Sequence, residues 1–176
     1  MRIIEASESD RPRVLQVERE AFAREDEAKL VAALLNDPTA QPAVSLLALE
    51  GARPIGHVLF TRATLTGGEA DVACAILAPL AVIPAMQRQG VGKALIERGC
   101  ELLAVAGVKL VFVLGDPAYY TRRGFEPAIP LGLRPPYPVV PEEAWMVRAL
   151  APQIQIGCTG TVACPATLAN PQLWRE

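Results

Sequence analysis

The sequence predicts an α/β (α+β) fold, a mixed central sheet of about six to seven strands flanked by helices in the order β-α-α-β-β-β-α-β-α-β. Three observations predict it. Apolar residues recur at helical spacing in two early segments and one central segment. Short apolar runs bounded by turn residues lie between them. A glycine-containing turn then joins a strand to a helix, and an uninterrupted apolar run follows.

Ile3 and Ile4 mark a short strand at residues 2–5. Ser9 and Asp10 offer an N-cap, and Pro12 stands in the first turn of the helix that follows. Val14, Leu15, Val17, Ala21 and Phe22 continue that helix at its own period. A second helix covers residues 25–35, with Ala28, Val31, Ala32 and Leu35 on one face, and Asn36-Asp37-Pro38 ends it. Residues 44–49 and 55–66, divided by the turn at Gly51, read as an antiparallel hairpin. Gly67-Gly68 turns the chain into a strand at 72–82.

The second half changes character. Gly90-Val91-Gly92 opens a helix at 93–106, and Gly107 is its C-cap. Residues 108–114 are continuously apolar, the pattern of a strand buried on both faces. A short helix at 118–123 is closed by Gly124. Prolines crowd residues 127–143, which read as a loop; 144–150 form a last sheet strand. Residues 1–150 read as one domain, and 151–176 as an extension packed on it with one short strand near 160–163.

Composition narrows the function. With 51% apolar residues the chain is too hydrophobic for disorder. Its net charge of −2 and 5% aromatic content lack both the basic footprint and the stacking platforms of a nucleic-acid binder. Residues 1–50 are net acidic and residues 51–150 net basic, so an anionic ligand is expected in the second part. Cys74, Cys100, Cys158 and Cys164 form no Cys-x-x-Cys pair, and His57 is the single histidine, so no metal site is expected. The cysteines read as free thiols. The N-terminal residues carry no apolar signal segment, and the apolar run at 72–86 is shorter than the ~20 residues a membrane helix needs. A cytoplasmic protein without a membrane or nucleic-acid partner is the expectation.

The most informative segment is Gln87-Arg88-Gln89-Gly90-Val91-Gly92-Lys93, where a strand runs through a basic glycine turn into a helix. Backbone N–H groups at a helix N-terminus lack internal partners and face the positive end of the helix dipole, so they suit a phosphate. Arg88 and Lys93 add charge. A Walker loop ending at Gly92-Lys93 would need Gly at 87 and Ser or Thr at 94, where Gln87 and Ala94 stand. A dinucleotide fingerprint starting at Gly90 would need Gly or Ala at 95, where Leu95 stands.

Gln87-Arg88-Gln89-Gly90-Val91-Gly92 resembles the acyl-CoA pyrophosphate loop of the GCN5-related N-acetyltransferases (the GNAT family). Tyr120-Thr121-Arg122-Arg123-Gly124-Phe125 resembles their later Tyr-x-x-x-Gly-Phe motif, at the family's separation of one helix and one strand. The two motifs cover residues 80–126, and the leading order of elements extends the resemblance to residue 1. More narrowly, the chain is similar to a bacterial branch of predicted acetyltransferases.

The resemblance implies acetyl-CoA as co-substrate and direct transfer of its acetyl group to a primary amine in a ternary complex. It implies that the pantetheine arm pairs with Leu80, Ala81 and Val82, beside two strands that splay apart. Pro79 fits this independently, because proline cannot donate to a strand ladder. The resemblance places the pyrophosphate on the main chain of Gln87, Arg88, Gln89, Gly90, Val91, Gly92 and Lys93. It makes Tyr120 the general acid that protonates the leaving thiolate; an ordinary phenol titrates near ~10 and is protonated at neutral pH. Tyr119 is read as a packing residue. Asp26 and Glu27 are the candidate bases, since the segment between the first two helices lines the family's acceptor site; Glu20 and His57 are further candidates. His57, inside an apparent strand, reads more simply as a structural histidine. The acceptor is a small-molecule or protein amine, with the acidic first third pointing to a cationic one and the loop at 127–143 to part of its wall. A homodimer is left open. The alternative function is a CoA-binding sensor or partner domain that has lost catalysis.

Overall fold

The computed structural model describes residues 1–67, 72–151 and 158–175. β1 (Arg2–Glu5) leads into α1 (Arg11–Phe22) and α2 (Asp26–Leu35). β2 (Val44–Glu50), β3 (Arg53–Thr66) and β4 (Cys74–Val82) follow as antiparallel neighbours. α3 (Val91–Val105) carries the chain to β5 (Leu110–Leu114), which pairs parallel with β4. α4 (Pro117–Thr121), β6 (Glu126–Pro127), β7 (Leu133–Arg134), β8 (Trp145–Ala149) and β9 (Gly160–Ala163) complete the order. The main sheet runs β1-β2-β3-β4-β5-β8-β6, and β9 joins the far end of β3 with β7 beside it.

Nine strands are therefore present among the described residues, against the six to seven expected. The difference is β6 and β7, two-residue strands inside the proline-crowded segment expected to be loop. Pairs this short have no period to read, and tertiary pairing alone creates them. The turn expected at Gly67-Gly68 lies partly outside the described residues.

Alternation along β3 assigns the two faces. A Cβ at Gly56 would meet Val91 and Leu95 of α3 at 2.8 and 3.0 Å. The next side chain, His57, meets Glu18 of α1. α1 and α3 therefore cover opposite faces, as successive strand residues must. Gly99, a helix-weakening residue in the middle of α3, lies against the Phe60 ring, and a methyl group there would collide with it. The core between these layers includes the wholly buried Leu46, Leu59, Phe60, Ile96, Phe112 and Trp145. Trp145 stacks on Phe112 with ring centroids 5.1 Å apart.

One feature of the sheet prepares the site. β4 and β5 pair only from Cys74↔Leu110 to Leu77↔Val113. Beyond that point β4 continues to Val82 along β3, with a register shift at Ala78 and Pro79, while β5 ends at Leu114. The β4–β5 ladder stops at Leu77, just before the shift at Ala78 and Pro79 that re-registers β4 against β3. The two parallel strands part and leave a gap beside Leu80–Val82.

Candidate active site

Two cavities flank this gap. The loop cavity, about 540 Å³, is walled by Leu80 and Val82 of β4, the turn at Gln87–Gly92, Lys93, Tyr119, Arg122 and Arg123. The tail cavity, about 320 Å³, is walled by Ile76–Ala78, Leu114, the α1–α2 turn and residues 168 and 172–175.

The loop cavity is built as an anion cradle. Gly90 has φ +85° and Arg88 φ +62°, left-handed conformations that swing the turn into the helix start. α3 makes its first internal bond at Ala94 N–H to Gly90 C=O, 3.0 Å, and no side chain caps Gly90. The amides of the first turn are thus left for a ligand. Arg88, Lys93, Arg122 and Arg123 supply four cations, and no carboxylate lines the cavity among the described residues. Arg123 lies over the Tyr119 ring, 4.7 Å from its centroid, and its Nε is buried without a hydrogen-bond partner.

The expected loop residues divide by geometry. Leu80, Val82, Gln87, Arg88, Gly90, Val91, Gly92 and Lys93 line the cavity. Ala81 does not: it is buried, and it registers opposite His57. Ile83 N–H donates to Ile55 C=O, 3.0 Å, so alternation turns the Ala81 amide toward β3 and the Leu80 and Val82 amides toward the gap. Gln87 and Gln89 use their side-chain amides to brace the turn, donating to Val82 C=O and Ala85 C=O, each at 3.1 Å.

Tyr119 corrects the sequence reading. Rather than packing away from the site, it lines the loop cavity, with its hydroxyl against Gly92. Tyr120 is 9% exposed and lines neither cavity. Its ring lies on Gly115, with the rings of Tyr119 and Phe125 edge-on at 5.0 and 5.5 Å. Asp116 Oδ1 accepts from Ala118 N–H, 2.9 Å, and fixes the start of α4 directly after β5. The cations at 122 and 123 stand in the motif's variable positions and Tyr119 directly precedes it, places where the resemblance carries no role.

Asp26 and Glu27 both line the tail cavity. Glu27 is gripped by Arg24, whose Nε lies 3.0 Å from each carboxylate oxygen, and this contact holds its carboxyl below the usual glutamate range. Asp26 takes part in no ion pair among the described residues. Glu20 reaches Arg53 at 3.4 Å. His57 is fully buried, with Nδ1 2.6 Å from Glu18 Oε1 and Nε2 2.8 Å from Ser45 Oγ. Glu18 is also fully buried, and burial pushes its carboxyl above the usual range.

The loop at 127–143 contributes no side chain to the tail cavity. The C-terminal segment does so instead, and Asp37 fastens it. Asp37 Oδ2 accepts from Thr167 N–H at 2.9 Å and Thr167 hydroxyl at 2.7 Å, while its Oδ1 accepts from Thr39 N–H and hydroxyl. These donors, Thr39 first, hold the Asp37 carboxyl well below the usual aspartate range. The proline-crowded segment supports the wall from behind, through Tyr137 at 6.3 Å from Trp174.

All four cysteines are free. Burial pushes Cys74 up to about 12 and Cys100 up to about 11, so neither supplies a thiolate nucleophile near neutral pH. Among the described residues no cluster of three His, Cys, Asp or Glu side chains is arranged to hold a metal, and no helix is long and apolar enough to cross a membrane.

Comparison with known proteins converges on one family. The acetyltransferase (GNAT) domain model matches residues 2–128. The chain is 48% identical over 160 residues to the uncharacterized N-acetyltransferase YjhQ of Escherichia coli K12, covering 89% of this chain and 87% of that protein. It is 35% identical over 153 residues to the uncharacterized N-acetyltransferase YhbS of the same organism, covering 87% and 89%. Its fold superposes on the crystal structure of E. coli YhbS in complex with CoA with a TM-score of 0.83 at 34% identity, covering 92% of this chain and 87% of that one. A GNAT family acetyltransferase from Brucella melitensis, solved with acetyl-CoA, gives 0.74 at 28% identity, covering 94% and 96%. The parted strands, the glycine turn at a helix start and these matches together place the chain in the GNAT acetyltransferase family.

Proposed function

We propose that the protein is an acetyl-CoA-dependent N-acetyltransferase that transfers the acetyl group directly to a primary amine. One observation carries this reading: β4 and β5 part at Leu77↔Val113, with a cationic cavity and a second, smaller cavity sharing the β4 strand at the gap. The exposed amides of the α3 start and the four cations fit the phosphates of acetyl-CoA. The outward amides of Leu80 and Val82 fit a pantetheine arm laid along β4. The acetyl group would then reach the junction near Ala78 and Leu114, which line the tail cavity.

The step joins the amine nitrogen to the thioester carbonyl carbon and breaks the carbon–sulfur bond. The amine gives up a proton and the leaving thiolate takes one. Tyr120, beside Gly115 at the end of β5, is assigned the donating role. Asp26 is assigned the accepting role in preference to Glu27, whose carboxylate is engaged by Arg24.

Calorimetric titration with acetyl-CoA and CoA, with ATP and NAD as controls, tests the reading. Selective low-micromolar affinity for the CoA species is expected, followed by acetylation of members of an amine panel. A protein that ignores CoA would remove the acetyltransferase reading. One that binds CoA but acetylates nothing in a broad panel would be the sensor domain. Tyr120→Phe is expected to lower turnover roughly 100-fold while leaving the CoA affinity within about twofold; unchanged turnover would take Tyr120 out of the mechanism.

A further inference from the structure

We infer that the acceptor is a small monoamine with an apolar, ring-sized body, and not a polyamine, an aminoglycoside or a lysine peptide. This rests on the acetyltransferase reading and on the tail cavity as its acceptor site.

Charge is the first argument. The acidic first third of the sequence points to a polycation, but its carboxylates are largely engaged within the chain. Asp10 pairs with Arg13, Glu25 with Arg19, Glu27 with Arg24, Glu20 with Arg53, and Glu18 with His57. Around the tail cavity stand Arg24, Asp26, Glu27 and Arg175, which sum to zero. Since Arg24 and Glu27 hold each other, Asp26 is the carboxylate left to receive an ammonium. A polyamine or aminoglycoside would bring further cations against Arg175, with no second carboxylate of the cavity wall outside an ion pair among the described residues to meet them. Desolvating unpaired charge is costly, so extra cations count against binding.

The walls are the second argument. Leu30, Ile76, Leu168, Leu173 and Trp174 present carbon to the cavity. Trp174 donates its indole N–H to Leu168 C=O at 2.9 Å, so its ring is left as an apolar surface. Leu173 is 45% exposed, one of few large apolar side chains that stay in water among the described residues. An apolar ligand body covers it, whereas a sugar or a polyamine does not. Size is the third argument. About 320 Å³ lies at the lower end of the roughly 300–1,000 Å³ of small-molecule sites, enough for one ring and a short amine arm.

The test uses the full chain. Acetylation of phenethylamine, spermidine, kanamycin and a short lysine peptide is followed by mass spectrometry of the acetylated product. Phenethylamine is expected to show a kcat/KM at least tenfold above the other three. Leu173→Asp, at an exposed position that does not threaten folding, is expected to lower that value about tenfold and leave acetyl-CoA affinity unchanged. Spermidine, kanamycin or the peptide matching phenethylamine would overturn the inference. So would a protein that binds acetyl-CoA and leaves phenethylamine untouched. Calorimetric binding of phenethylamine, abolished or weakened by Leu173→Asp, supports the assignment without turnover; absence of binding counts against it. Failure of the acetyltransferase reading is separately visible as failure to bind acetyl-CoA.

Discussion

Glu18 and His57 form a fully buried contact between α1 and β3. With Nδ1–H donating to the carboxylate, Nε2 is left to accept from the Ser45 hydroxyl, so both ring nitrogens are satisfied. Glu18 Oε2 is buried without a partner. Removing one member of such a pair leaves a buried polar group unanswered, whereas an isostere keeps the hydrogen bond. Glu18→Ala is therefore expected to destabilise the fold by about 3 kcal/mol, and Glu18→Gln by about 1 kcal/mol or less. Urea unfolding of the two variants checks this; equal losses would mean the hydrogen bond to His57 contributes nothing. The same geometry explains why a lone histidine in a strand was legible as structural while its partner was not. Glu18 lies 39 positions earlier, and nothing in α1's local pattern marks one of its glutamates as buried.

At the scale of elements, the strand–turn–helix at β4 and α3 was readable because its causes are local. Pro79 stands at the register shift of β4, and Gly90 supplies a positive φ. The C-terminal wall of the tail cavity was not readable, because its causes are remote: Asp37 reaches Thr167 across 130 positions, and the segment it holds has no period of its own. Tyr119 was read as packing for a related reason. α4 is only five residues long, so the packing of Tyr120 on Gly115, not a helical wheel, decides which tyrosine faces the loop cavity. Asp37 itself gives a prediction. Its folded pKa is depressed, so its contribution is present above the ordinary aspartate range and is lost as pH falls through the lower folded value. The C-terminal wall is expected to hold at pH 5. Asp37→Asn, which cannot accept four hydrogen bonds, is expected to speed hydrogen exchange at Thr167 by roughly tenfold at neutral pH. It should also raise the acceptor KM with little change in CoA affinity. Unchanged exchange would show that other contacts hold the segment.

Over the whole molecule, a net charge of −2 conceals a division of labour. Four cations surround the loop cavity, while among the described residues the charges of the tail cavity balance. Arg148 stiffens the cationic side: its guanidinium meets Glu97 of α3 at 2.8 and 3.2 Å and donates to Arg123 C=O at 3.0 Å. A cluster of like charge acts through a field that salt screens within about 10 Å at 0.1 M. Raising monovalent salt from about 0.05 M to about 0.5 M is expected to weaken acetyl-CoA binding roughly tenfold and to change monoamine KM little. Calorimetry at two salt concentrations checks it; a salt-independent acetyl-CoA affinity would mean the four cations do not face the ligand.

The wall built from residues 168 and 172–175 has a consequence for ancestry. It is attached to a sheet whose glycine turn and parted strands lie before residue 126, and Asp37 and Thr39 are the residues that hold its start through Ala166 and Thr167. Under the proposed acceptor site, a lineage that changes residues 168–175 changes one wall of the tail cavity while inheriting the glycine turn and the parted strands unaltered. Two descendants nearly identical through α4 would then share Asp26, Leu30 and the β4 wall of that cavity and differ in its C-terminal side.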